Sequence, residues 1–240
     1  MGRWVGSTLF SVGMIMSTLV VATATVLVAP FPFRVRYATA RSFAYFNLWT
    51  LRWFCGIRYH VEGTENIPAG PAVVFCKHQS TWETLAMQAL FPPQVYVLKR
   101  ELLRVPFFGW GLARLEPIAI DRRAGRTAVN QVIEQGADRL AKGYWVIVFP
   151  EGTRVAAGST GRYKLGGAVL AAHVGCPAVP VAHNAGEFWP RRSFLKRPGT
   201  IEVRVGPPIE TAGRKPEEIL NEARTWIEAT VSTISNVNKK

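Results

Sequence analysis

In Cys76-Lys77-His78-Gln79-Ser80-Thr81-Trp82-Glu83-Thr84 an apolar run ends in a histidine, and a glutamate follows closely. An imidazole with an unperturbed pKa of about 6.5 can take a proton from a hydroxyl near neutral pH. A carboxylate on its other ring nitrogen fixes the tautomer and stabilises the imidazolium that forms. His78 and Glu83 have the residue types for those two parts. The same letters also spell a helix start, because Ser80-Thr81-Trp82-Glu83 fits the capping box, in which serine and glutamate satisfy free amides. The two roles are compatible, with one carboxylate oxygen on each partner.

The elements that must position this pair are legible on either side of it. Ala72-Val73-Val74-Phe75-Cys76 reads as a short buried strand and Thr84 to Phe91 as a helix, so His78 and Glu83 fall at a strand-to-helix turn. Such turns carry the chemistry of α/β folds. Further strands are predicted at 57–61, 95–98, 117–120, 144–149, 178–182 and 201–205. Helices are predicted at about 127–142, 167–173 and 215–234, and Pro106 to Gly111 reads as an apolar turn or short helix. Strands alternating with helices predict an α/β layer structure. No internal repeat is visible.

Cations recur at the strand ends. Lys99, Arg122 and Arg154 each follow a strand, as His78 does. If those strands are neighbours in one sheet, the cations and the base share an edge and form a pocket for an anion beside a proton-transfer group. A guanidinium fork suits phosphate, and an ammonium supplies a point charge. Taken singly, each cation reads as a solvated surface charge. Of the other histidines, His60 lies in a strand and His173 in an Ala-rich helix, so both read as core or surface residues. His183 follows a strand and could line a cleft, but its nearest carboxylate in sequence is Glu187.

Lys and Arg number 29 against 16 Asp and Glu, a net charge of +13. That balance implies an anionic partner. The basic residues are interleaved with Trp and Phe and adjoin an apolar segment, which favours a lipid surface; no nucleic-acid-binding pattern is present. Cys55, Cys76 and Cys176 have no disulfide or metal-ligand spacing and read as reduced core residues. From Trp4 to Phe33 no residue is charged, enough to cross a bilayer as a helix. Ala22-Thr23-Ala24 resembles a signal cleavage site, but only Arg3 precedes the run, whereas Arg34, Arg36 and Arg41 follow it. The charges favour a retained anchor with its C-terminal side in the cytoplasm. After Pro30-Phe31-Pro32-Phe33 a second helix is predicted over residues 34–54. It carries Arg34, Arg41 and Arg52 on one side and Phe43, Phe46, Trp49, Trp53 and Phe54 opposite, a pattern suited to a membrane interface or to packing on the domain. The expected division is membrane-anchoring helices at 1–54 and a catalytic domain at 55–240.

Taken together these residues resemble the glycerolipid acyltransferase family, in particular its bacterial 1-acyl-sn-glycerol-3-phosphate acyltransferases. His78-Gln79-Ser80-Thr81-Trp82-Glu83 resembles the family's H-x4-D block, Pro117-Ile118-Ala119-Ile120-Asp121-Arg122 its second block and Phe149-Pro150-Glu151-Gly152-Thr153-Arg154 its third. Val179-Pro180-Val181 stands where the fourth belongs. The resemblance covers about residues 57 to 210. One departure is plain: Glu83 replaces the usual aspartate, an arm about 1.5 Å longer, so a direct bond to His78 needs a different turn.

The resemblance implies a mixed, largely parallel sheet flanked by helices, with an N-terminal membrane-associated two-helix segment. It implies that His78 takes the proton of the free glycerol hydroxyl of lysophosphatidic acid while Glu83 orients it. The alkoxide then attacks the thioester of acyl-CoA or an acyl carrier protein, with no metal and no other cofactor. Lys99, Arg122 and Arg154, with Lys164 as a further candidate, would hold the phosphate; Glu151, Gly152 and Thr153 would form the glycerol site. The implied partners are the phospholipid bilayer, lysophosphatidic acid and the acyl donor, at the cytoplasmic face of a bacterial inner membrane. Two other functions remain open to the residues: acyl transfer to another lysolipid, and non-catalytic lipid or anion binding in which Glu83 only caps a helix.

Overall fold

The computed structural model describes residues 2–121 and 125–237. Its centre is set by two short runs with no charged residue, Val73–Cys76 (β2) and Trp145–Val148 (β5), which pair in parallel and are buried on both faces. Successive strand residues point to opposite faces. Val74, Cys76, Trp145 and Ile147 therefore enter one core, and Val73, Phe75, Val146 and Val148 the other.

Around this pair stand β1 (Ile57–Glu62), β3 (Gln94–Lys99), β4 (Ile118–Ile120), β6 (Ala178–His183) and β7 (Gly199–Val205), giving a seven-stranded sheet in the order β1-β7-β6-β2-β5-β3-β4. Every neighbouring pair is parallel except β6 with β7. The expected mixed, largely parallel α/β sheet is present. The strands that precede His78, Lys99, Asp121 and Glu151 are contiguous in it as β2-β5-β3-β4, so their carboxyl ends share one edge. Arg122 itself lies outside the described residues.

On one face lie α3 (Trp82–Leu90) and the N-terminal helices α1 (Arg3–Leu27) and α2 (Phe33–Cys55); on the other lie α5 (Arg126–Ala141), α6 (Gly166–Val174) and α7 (Pro216–Ile234). Pro30 and Pro32 end α1 and open α2, since proline lacks the amide a helix interior needs. The two helices form an antiparallel pair, with the Asn47 amide donating to Ser17 Oγ at 3.0 Å and the Cys55 thiol near Gly6 O at 3.5 Å. Lys196 fastens α1 to the domain. Its ammonium donates to Ser11 Oγ at 3.1 Å and lies within 4.9, 5.0 and 5.2 Å of the rings of Phe10, Trp189 and Phe194. The short helix α4 (Phe108–Ala113) crosses α1 so closely that a Cβ at Gly111 would come within 2.9 Å of Ala22 Cα, which leaves glycine as the residue that fits.

The 25 residues of α1, at about 1.5 Å each, make a helix long and apolar enough to cross a membrane. Trp4, Val12, Ile15, Met16 and Val20 of α1 are exposed, as are Phe46, Trp49 and Trp53 of α2 and the nearby Phe107 and Trp110. The aromatic face of α2 is divided: Phe43 and Phe54 pack on the core, and the rest face outward. Arg41 turns inward to donate to the carbonyls of Gln88 and Ala89 at the end of α3.

Candidate active site

Strand alternation continues past β2 for two residues and decides the site. Lys77 points to the α7 side and His78 to the α3 side. The next turn starts α3, and Glu83 on its first turn folds back beneath the histidine.

Glu83 is fully buried, and its Oε1 meets His78 Nδ1 at 2.8 Å. The same oxygen accepts the backbone N–H groups of Gln79 at 3.0 Å and Ser80 at 2.8 Å. The capping and orienting roles therefore coexist: Oε1 serves both, and Oε2 also accepts from Ser80 N, at 3.1 Å. The longer arm of glutamate is accommodated because the carboxylate sits under the turn. Burial raises the carboxyl pKa, and the hydrogen bond from His78, the two nearby imidazoles and the Ser80 amide outweigh it, leaving the group below its ordinary value. Glu83 is thus a carboxylate at neutral pH. The Phe149 ring stacks on that of His78 at 4.1 Å and 17°, fixing its tilt while Glu83 fixes its rotation. With Nδ1 engaged, Nε2 is the ring nitrogen available to a substrate.

His78 borders a cleft of about 550 Å³ that also holds Lys99 and Arg154. Much of the remaining wall is apolar: Leu85 from α3, Val97 and Leu98 from β3, and Leu112 and Leu115 from α4 and just after it. The N-terminal helices complete it, with Met14, Thr18, Val21, Ala22 and Thr25 of α1 and Ala40 and Phe43 of α2. The sequence predicts these helices as an anchor and gives no sign of this contribution to the cleft. A basic, histidine-bearing part and a long greasy part in one cleft fit an anionic head and a hydrocarbon tail.

The remaining sequence candidates separate. Gly152 and Lys164 line a smaller hollow of about 150 Å³ that shares Val97 and Phe149 with the cleft. Thr153 is exposed and borders neither hollow. Glu151 faces inward. Its Oε1 accepts from Lys77 Nζ at 2.8 Å and Gly161 N at 3.0 Å, and its Oε2 from the backbone N–H of His78 at 2.9 Å. It therefore holds the turn that carries His78 and its own loop, and its carboxylate faces away from the cleft that His78 borders. The two loops are joined again by Val155 N donating to His78 O at 2.9 Å.

His183 is wholly buried and borders neither hollow, and its carboxylate neighbour is Glu83, at 3.9 Å, while Glu187 accepts from the Asn236 amide. His183 Nδ1 accepts from Ala185 N at 3.2 Å, so Nε2 carries the proton and donates it to Lys77 O at 2.8 Å. Burial pushes its pKa down and keeps it neutral. The peptide between Lys77 and His78 is thus held at both polar atoms, its carbonyl by His183 and its N–H by Glu151. Among the described residues one grouping has metal-like spacing, His60, Glu62 and Glu202, but Arg204 already pairs with both carboxylates at 3.0 Å.

The acyltransferase family model matches residues 58–184, which contain His78, Glu83, Lys99, Glu151 and Arg154. A Pseudomonas aeruginosa protein named 1-acyl-sn-glycerol-3-phosphate acyltransferase is 46% identical over 93% of this chain and 89% of its own length. The human 1-acyl-sn-glycerol-3-phosphate acyltransferase alpha is 33% identical over 70% of this chain and 61% of its own. The crystal structure of the Thermotoga maritima 1-acyl-sn-glycerophosphate acyltransferase PlsC superposes with a TM-score of 0.79 at 19% identity, covering 98% of this chain and 97% of that one, and so shares its fold. On the extent of the family match and of the identity to the Pseudomonas protein, the chain belongs to the acyltransferase family.

Proposed function

We propose that this protein is a 1-acyl-sn-glycerol-3-phosphate O-acyltransferase, moving an acyl group from an acyl thioester to lysophosphatidic acid and yielding phosphatidic acid. The observation that carries this reading is that His78, backed by Glu83, shares one largely apolar cleft with Lys99 and Arg154. His78 Nε2 takes the proton of the free glycerol hydroxyl. The oxygen attacks the thioester carbonyl carbon, the tetrahedral adduct expels the thiolate, and the imidazolium returns the proton to sulfur. Glu83 stabilises the imidazolium between the two transfers.

Lys99 and Arg154 bind the acceptor phosphate, with Arg122 assigned to the same task by its place after β4 and Lys164 from the adjoining hollow. Gly152 and Thr153 belong to the loop that borders the glycerol. The apolar wall takes a hydrocarbon chain, and the donor is acyl-CoA or an acyl carrier protein. In this reading the exposed apolar faces of α1 and α2 lie in the bilayer, and the arginines after α1 support a catalytic domain at the cytoplasmic face of a bacterial inner membrane.

The test is a panel of acceptors, lysophosphatidic acid, other lysophospholipids and an uncharged monoacylglycerol, offered with one labelled acyl thioester to wild type and His78→Ala in membranes. Transfer to lysophosphatidic acid should dominate and should fall by about 10²-fold or more without His78. Near-normal turnover in the variant, or preference for the uncharged acceptor, overturns the reading.

A further inference from the structure

The side chain of Lys77 is fully buried, in contact with Glu228 of the C-terminal helix. All three donor positions of its ammonium are filled: Glu151 Oε1 at 2.8 Å, Glu228 Oε1 at 2.7 Å and Ser159 O at 3.1 Å. Glu228 is in turn held by the Tyr163 hydroxyl on Oε1 at 2.7 Å and by Thr160 Oγ1 on Oε2 at 2.8 Å. Burial raises the Glu228 carboxyl pKa, and the hydrogen bonds from Lys77, Tyr163 and Thr160 outweigh it, so the group stays ionised. Residues 159, 160, 161 and 163 of the loop after Arg154 thus converge on two carboxylates and one ammonium.

We propose that Glu228 is a positioning residue for acyl transfer, acting through Lys77 and Glu151 on the backbone of His78. The inference rests on the proposed role of His78. Glu151 grips the His78 N–H with one oxygen and Lys77 with the other; Lys77 is aimed by Glu228; and Glu228 is borne by α7, whose Ile219, Leu220, Ala223, Ile227 and Val231 are buried against the sheet. A rigid, packed helix is thereby the reference against which the base is set. Small displacements of a catalytic group are costly, about 10²-fold for 1 Å. Glu228 touches neither cleft nor hollow, so its loss acts on turnover and not on acceptor affinity.

Glu228→Gln leaves Lys77 paired with Glu151, a balanced pair, and the fold should survive; Glu228→Ala also removes the acceptor. Steady-state kinetics with lysophosphatidic acid should give kcat falling in the order wild type, Gln, Ala, by about 10-fold or more at the end of the series, with KM within about twofold. Tyr163→Phe, which removes one hydrogen bond from Glu228 and keeps its charge, should give a smaller fall of the same kind. Glu222→Gln, which removes an exposed carboxylate of the same helix paired with Arg214, should leave kcat unchanged. Normal kcat in folded Glu228→Gln and Glu228→Ala, with His78→Ala inactive, overturns this inference alone. A loss confined to KM, or an equal loss in Glu222→Gln, also overturns it. Turnover surviving in His78→Ala overturns the reading beneath it as well.

Discussion

Glu83 Oε1 holds the ring of His78 and the amide of Ser80 at the same distance, 2.8 Å, so one oxygen both orients the base and closes the turn that carries it. Glu83→Asp retracts that oxygen by about 1.5 Å while keeping its charge. Despite restoring the acid usual in the family, it should lower kcat, by about 10-fold or more, and should also lower Tm. Glu83→Gln keeps the length and loses the charge, so it should retain more stability and lose more turnover. Paired measurements of kcat and Tm check the crossover.

Acidification should weaken the fold in two stages. His183 is held neutral by burial and Glu83 ionised by its partners, so both have folded-state pKa values below the unfolded ones. In both cases the unfolded chain binds more protons, and stability present at higher pH is lost as pH falls. The first loss begins below about 6.5 and the second below about 4.3, the ordinary values of the two groups. Thermal unfolding from pH 7.5 to 4 should show a decline starting near the histidine value, flattened between pH 6.5 and 5 in His183→Gln.

Arg154 should act on binding. Arg154→Ala in detergent-solubilised enzyme should raise KM for lysophosphatidic acid more than it lowers kcat, by about 10-fold. Added phosphate should inhibit the wild type more than the variant. Lys99→Ala should follow the same pattern more weakly, because its ammonium is already shared with Glu101 at 3.1 Å.

Cleft length should govern chain preference. Thr18→Phe puts a ring into the wall contributed by α1. Each methylene it excludes forfeits about 0.8 kcal/mol, so kcat/KM should fall progressively for longer acyl chains and hold for short ones. A series of acyl-CoA donors and of lysophosphatidic acids of graded length checks this and reports which substrate's tail lies in the cleft.

Much of this arrangement is readable from residue order. The strands that precede His78, Lys99, Asp121 and Glu151 are legible as apolar runs, and a histidine closes one of them. What residue order does not carry is which strands are neighbours, and so which distant side chains meet. Nothing in residue order marks Lys77; only the pairing of β2 with β6, and the packing of α7 beside them, brings Glu228 to it. His183 was weighed against Glu187 because that carboxylate is near in sequence, whereas its spatial neighbour is Glu83, 100 positions earlier. The motif resemblance puts Glu151 at the glycerol site and says nothing of the turn of its carboxylate toward Lys77. Strand alternation carried past Cys76 sends consecutive residues to opposite sides, so the lysine and the histidine do not both face the cleft.

The wall that Met14, Thr18, Val21, Ala22 and Thr25 add to the cleft gives α1 a meaning for anyone preparing this enzyme. Trimming this apolar helix to obtain a better-behaved sample would strip one wall from the cleft and open that flank to water.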